Sequence, residues 1–160
     1  MKLISSNPEK LYTFLKEWSE ADRLELHTCR PVINGRRIPR SNEVFHFLYF
    51  EESIFEPVGN IFYFDINERN LSCEFGYKIN PKYRNQGFGK TMLAESIYHI
   101  FTNTNFNKLY CQTASFNLPS VKLLESIGFK RDGILREHHE LEGILYDDYI
   151  YSMLRSDWRL

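Results

Sequence analysis

The chain reads as an α/β sandwich, a mixed sheet with helices on both faces. Three observations predict this. Strand-like runs at Val44 to Phe50, Val58 to Ile66 and Leu71 to Ile79 follow one another, with turn chemistry between them at Glu56-Pro57 and Asn67 to Asn70. Two helical patterns, Lys90 to Phe101 and Leu118 to Ile127, then alternate with a further strand at Lys108 to Thr113. No repeat, linker or low-complexity tract breaks that order. Residues 1–160 are therefore expected to form one domain, large enough to bury a core.

Taken in order, Asn7-Pro8 predicts a helix start, a capping Asn followed by Pro at the first helical position. Leu11, Phe14, Leu15 and Trp18 then fall on one helical stripe. Ala21 to Cys29 predicts a second short helix, and Arg30 to Asn42, with Pro31, Asn34-Gly35 and Pro39, a polar, turn-rich loop. The three strands that follow predict an antiparallel meander. Leu93, Ile97, Ile100 and Phe101 form the core stripe of the next helix, and Gly128 supplies the C-cap of the one after it. Phe129 to Arg136 and Tyr146 to Leu154 pair as a final hairpin.

Composition narrows the function. A net charge of −1 gives no electrostatic footprint for a nucleic-acid backbone. No stretch has the apolar length of a membrane span, and Met1 to Pro8 lacks the apolar core of a secretory signal, so a cytoplasmic protein without a membrane partner is expected. Cys29, Cys73 and Cys111 are odd in number and lack C-x-x-C spacing, which predicts reduced thiols. The high aromatic content, 13 Phe and 10 Tyr, favours a sheet-rich core or a stacked pocket.

The most informative stretch is Arg84-Asn85-Gln86-Gly87-Phe88-Gly89 followed by Lys90 and a helix. Two glycines let the backbone turn tightly and approach a ligand. The helix behind them presents unpaired N–H groups and a positive dipole end, which suits a phosphate or pyrophosphate, and Arg84 and Lys90 add charge. The spacing is neither that of a nucleotide triphosphatase loop nor that of a dinucleotide-binding turn. It resembles the acetyl-CoA pyrophosphate loop of the GNAT N-acetyltransferase superfamily. Three further stretches resemble the RimJ/RimL-like branch of that superfamily: Glu74-Phe75-Gly76-Tyr77-Lys78-Ile79-Asn80-Pro81, Asn117-x-x-Ser120 ahead of Gly128-Phe129, and Asp132 to Arg136 with Asp147-x-x-x-Tyr151-Ser152-Met153-Leu154…Trp158.

The resemblance implies a mostly antiparallel mixed sheet and an acetyl-CoA-dependent N-acetyltransferase acting on a primary amine, either a protein N-terminal α-amine or a small molecule. It implies that a splay between the fourth and fifth strands leaves backbone groups of Tyr77, Lys78 and Ile79 free for the pantetheine arm. Arg84, Asn85, Gln86, Gly87, Phe88, Gly89 and Lys90 would take the pyrophosphate, and Asn117 would hydrogen-bond the pantetheine. Many relatives place a leaving-group Tyr seven residues after the Asn; this chain has Leu124 there. The branch that uses Ser at the third position instead implies Ser120 as donor to the departing thiolate, against a plain reading as a first-turn helix residue.

Transfer to an amine needs a free lone pair. A lysine-like amine of pKa ~10.4 costs roughly 4–5 kcal/mol to neutralise at pH 7, and an α-amine near ~7.7–8.0 only about 1. A general base serves the former more than the latter. Glu74, on the strand that would carry the thioester contact, is the base candidate; the other reading is an exposed strand Glu. Related branches carry the base one position earlier, where Cys73 stands here. Adjacent histidines at His138-His139 point to opposite faces of a strand, so no metal is expected. Glu137, Glu140, Glu142, Asp147 and Asp148 concentrate acid in the closing hairpin, a rim suited to cationic amines or a solvated surface. A binding module that senses acyl-CoA without catalysis is the alternative function, and a homodimer is compatible with either.

Overall fold

β-branched and aromatic residues alternating from Phe45 onward build the middle of the sheet. The computed structural model describes residues 2–5, 13–18, 32–33, 36–37, 45–51 and 53–158. The strands are β1 (Lys2–Ser5), β2 (Val32–Ile33), β3 (Arg36–Arg37), β4 (Phe45–Phe50), β5 (Gly59–Asn67), β6 (Ser72–Ile79), β7 (Lys108–Ala114), β8 (Lys130–Leu141) and β9 (Ile144–Leu154). The helices are α1 (13–18), α2 (Phe88–Asn103) and α3 (Leu118–Ser126). Among the described residues seven strands form one sheet in the order β1-β4-β5-β6-β7-β9-β8. Its pairs are antiparallel except β6 with β7, the pair that needs the α2 crossover. None of the described helices is long and apolar enough to cross a membrane.

The expected meander is β4-β5-β6. Phe47 lies opposite Ile61, Ile61 opposite Tyr77 and Tyr63 opposite Phe75, so these side chains share one face. That face packs against Met92, Leu93, Ile97, Ile100 and Phe101 of α2 and Leu124 of α3. Burying each such side chain stabilises the fold by roughly 1.5–3 kcal/mol. The Tyr63 hydroxyl donates to the Ser96 carbonyl across this interface at 3.1 Å. On the opposite face the Phe62 ring lies directly over Gly76, where a Cβ would sit 2.4 Å from Phe62 Cζ. Gly76 is thus fixed by the close passage of a ring.

The structure changes or adds to the sequence reading in four places. Lys2–Ser5 forms an edge strand on β4, too short to announce itself by alternation. Within the expected turn-rich loop, Val32 pairs with Arg37 and Ile33 with Arg36, antiparallel. The final hairpin is longer than expected, because its turn is Glu142-Gly143, with φ of +54° and +79°. Both residues are left-handed, as a type I′ turn requires, and Gly143 N–H donates to Glu140 Oε1 at 2.6 Å. Two extra residues of β8 bulge between the pairs Leu135–Asp148 and His139–Tyr146, and Asp147 Oδ1 holds the bulge by accepting from Glu137 N–H at 2.9 Å. The Asn7-Pro8 start and the Ala21 to Cys29 helix lie outside the described residues; Trp18 of α1 is buried.

The C-terminal end of α2 depends on one distant side chain. Arg155 donates through Nε to the Phe106 carbonyl at 2.8 Å, through Nη2 to the Thr104 carbonyl at 2.7 Å and through Nη1 to the Phe101 carbonyl, while its guanidinium lies over the Phe101 ring. Carbonyls at a helix end have no partner inside the helix. Arg155→Ala is expected to lower stability by about 2–3 kcal/mol, read as a lower urea midpoint at unchanged slope. A loss below about 0.5 kcal/mol would mean that water caps these carbonyls equally well.

Candidate active site

β6 and β7 pair only from Ser72–Lys108 to Glu74–Tyr110. Beyond that point they diverge. β6 stays on β5 as far as Ile79–Gly59, and β7 stays on β9 as far as Ala114–Asp148. Residues 75–79 of β6 therefore keep one paired edge and turn the other to a gap facing β7. Main-chain N–H and C=O groups there need partners from outside the ladder.

The glycine loop closes one end of this gap. Asn80 ends β6 and is anchored at both sides: its N–H donates to the Val58 carbonyl at 3.0 Å, and its Oδ1 accepts from Lys82 N–H at 3.1 Å to start the short turn Pro81–Tyr83. Glu56 receives both Lys82 Nζ and the Tyr83 hydroxyl, and these bonds, Lys82's first, hold its carboxyl below the usual range. The Arg84 Nε donates back to the Ile79 carbonyl at 3.4 Å. Gln86 turns to the Lys82 carbonyl, and Asn85, at φ +60°, begins the turn into α2. Gly87 is the N-cap at φ +86° and offers no side-chain oxygen to the first-turn N–H groups. Asn85, Gln86, Gly87 and Lys90 are exposed.

The two glycines serve different ends. A Cβ at Gly87 would meet nothing within 4 Å, whereas one at Gly89 would lie 3.1 Å from Leu123 Cδ2 and 3.6 Å from Ile79 Cγ1. Gly87 satisfies a backbone angle and faces open space. Gly89 lets α2, α3 and the end of β6 converge.

α3 forms the other wall. Asn117 is its N-cap, its Oδ1 accepting from Ser120 N–H at 3.4 Å, with Pro119 in the first turn. Ser120 Oγ lies 2.7 Å from the Tyr77 hydroxyl. Burial raises the Tyr77 phenol above its ordinary pKa, with Cys111 adding to the rise, so it stays protonated. Sequence reasoning named Tyr77 for its backbone alone; the meeting with Ser120 is spatial and leaves no local signal. Leu124, seven residues after Asn117, points into the core and is fully buried.

Glu74 lies apart from this group. Cys73 and Phe75 face the helices and are buried, so Glu74 and Lys78 point to the opposite face, where Glu74 is 4% exposed. The reading of an exposed strand Glu is therefore corrected: Glu74 sits in mid-sheet, between Phe64 of β5 and Tyr110 of β7, and is buried. β5 bulges between Phe64 and Asn67, next to the Phe64–Glu74 pair. Cys73 is a buried thiol whose pKa is pushed up to about 12, no nucleophile at neutral pH.

The same face carries a polar cluster that the sequence concealed. Asp148 is fully buried; its Oδ2 accepts from Gln112 Nε2 at 2.7 Å, and its Oδ1 lies 3.4 Å from His139 Nδ1. His139 in turn meets the Phe116 ring edge to face. Asp148 thus belongs to the interior and not to an acidic rim, while Glu137, Glu140 and Glu142 are exposed. Among the described residues no group of three His, Cys, Asp or Glu side chains could hold a metal ion.

Residues 4–130 match the model of an acetyltransferase (GNAT) domain. The chain belongs to the GNAT family. It is 30% identical over 103 residues to the uncharacterized N-acetyltransferase p20 of Bacillus licheniformis, an alignment covering 64% of this chain and 58% of that one. This chain thus spans a little over half the length of that relative. It is 24% identical over 152 residues to the ribosomal protein uS5-alanine N-acetyltransferase of Escherichia coli, covering 91% and 77%. In fold it is similar to a spermidine N-acetyltransferase from Vibrio cholerae in complex with CoA and spermine, with a TM-score of 0.81, 22% identity and 98% and 96% coverage.

Proposed function

We propose that this chain transfers an acetyl group from acetyl-CoA directly to a primary amine. The observation that carries this reading is the single-edged stretch 75–79 of β6, which opens beside the exposed Gly87 turn that starts α2. The residues fit the co-substrate along its length. Gly87, Phe88 and Gly89 with Arg84 and Lys90 would hold the pyrophosphate, assisted by Asn85 and Gln86. The edge of Tyr77, Lys78 and Ile79 that faces the gap would pair with the amide-bearing arm as an added strand, and Asn117 would reach the arm from the opposite wall. Acetyl-CoA supplies the activated acyl group.

Glu74 points to the sheet face away from the helices and Ser120 lies on the helix side, so each would reach an acyl carbon held in the gap from its own side. The amine nitrogen adds to the thioester carbonyl, whose π pair moves to oxygen, and collapse of that tetrahedral adduct restores the C=O as the sulfur departs. The amine nitrogen gives its lone pair to the new N–C bond, and the C–S bond gives its pair to sulfur. Glu74 takes the proton that the nitrogen sheds, directly or through water, and passes it to solvent. Ser120 donates a hydrogen bond to the sulfur as charge develops there. The relatives acting on the alanine of a ribosomal protein and on spermidine support a primary amine as acceptor, peptide α-amine or polyamine.

The test is thiol release from acetyl-CoA with a panel containing an alanine-terminated peptide, lysine, spermidine and an amino sugar, with CoA binding followed by calorimetry. Turnover with at least one amine is expected. Tight CoA binding with no turnover on any amine would favour a sensing module, and no CoA binding would remove the reading altogether.

A further inference from the structure

Helix α3 brings only one hydroxyl to the gap from its first turn, that of Ser120, because the position one turn further on is the core residue Leu124. A second hydroxyl comes from across the gap. Tyr77 leaves β6 on the helix-facing side, stacks its ring on Phe75 (centroids 6.2 Å apart, planes at 19°) and ends 2.7 Å from Ser120 Oγ. Ser120 has one hydroxyl hydrogen and two lone pairs, and so does not need that hydrogen for Tyr77 if the phenol is the donor. The ring is held by the core, so the phenol oxygen has a fixed place from which to donate.

We propose that Tyr77 is a positioning residue for departure of the sulfur. Its O–H donates to Ser120 Oγ, occupies one of the serine lone pairs and turns the only hydroxyl hydrogen of Ser120 toward the gap. The inference rests on the acetyltransferase reading above. As the C–S bond breaks and its pair moves to sulfur, Ser120 supplies a hydrogen bond rather than a proton. The released thiolate takes its proton from water, and Tyr77 keeps its own proton throughout. A donor polarised by a second donor is the stronger one, since chained hydrogen bonds reinforce each other.

Tyr77→Phe tests this because it removes the hydroxyl and leaves the ring. A kcat about tenfold lower is expected, with KM for acetyl-CoA and calorimetric CoA affinity within about twofold. A second readout needs no turnover: the thiol of bound CoA, titrated by the ultraviolet absorbance of its thiolate, should ionise at a higher pH in Tyr77→Phe than in wild type. Ser120→Ala should show the same displacement, and the double variant no more than either single one, as two members of one chain require. If Ser120 were the donor to Tyr77, Tyr77→Phe would free its hydrogen, and both kcat and the titration would hold or improve; that result overturns the proposal. Independent, additive effects of the two substitutions overturn it as well. Both outcomes leave acetyl transfer standing, whereas a wild-type protein that binds no CoA removes both readings together.

Discussion

Glu74→Gln is expected to lower kcat by about 10²-fold at pH 7 with a lysine-like amine, while leaving CoA affinity unchanged. The isosteric amide keeps the volume of a side chain that is 4% exposed, so a fall in rate reports lost proton transfer rather than a cavity. The acceptor sets the size of the loss. An α-amine of pKa ~7.7–8.0 is largely neutral by pH 8.5, and the variant should then approach wild type; a lysine-like amine of pKa ~10.4 remains protonated and should stay slow. Rates measured from pH 6 to 9 with both amine classes separate the cases. Near-wild-type turnover of the lysine-like amine at pH 7 would assign the proton to a water chain, with Glu74 left as a buried structural carboxylate.

This expectation depends on the direction in which Glu74 points, and that direction shows how much of the site was readable from sequence. The strands β4, β5 and β6 and the helix α2 were legible because their periods and turn residues are local properties. The family motifs added the place of the gap. Side-chain direction in β6 was not legible: it follows from pairing with β5 through Phe64–Glu74 and from the bulge beyond, both set by a strand elsewhere in the chain. The hairpin turn escaped notice because Glu142 holds a left-handed angle usually left to Asn, Asp or Gly. Asp148 looked like one more charge in an acidic stretch, since nothing local tells a solvated carboxylate from one held inside by Gln112 and His139. The same limit applies to Asp132, which reads as a motif residue. Its carboxyl, held below the usual range chiefly by Lys108, joins β7 and β9 to β8 through Lys108 Nζ and the Ser152 hydroxyl.

Glycines carry the same lesson to the cofactor end, where spacing alone gives Gly87 and Gly89 one role and the structure gives them two. Gly87→Val should weaken CoA binding by about 10- to 100-fold. A β-branched residue at φ +86° costs roughly 1–3 kcal/mol, and relieving that strain turns the first N–H groups of α2 away from the phosphates. Its Cβ would also stand in the open space where a pyrophosphate would lie. The folded protein should lose little else, because no protein atom waits there to clash. Gly89→Val should behave in the opposite manner, losing thermal stability first, since its side chain must displace Leu123 and Ile79. Calorimetric CoA affinity and melting temperature, measured on both variants, resolve the two. Unchanged affinity in a folded Gly87→Val protein would remove the pyrophosphate from this turn, and the exposed start of α2 would then be only a connection between strands.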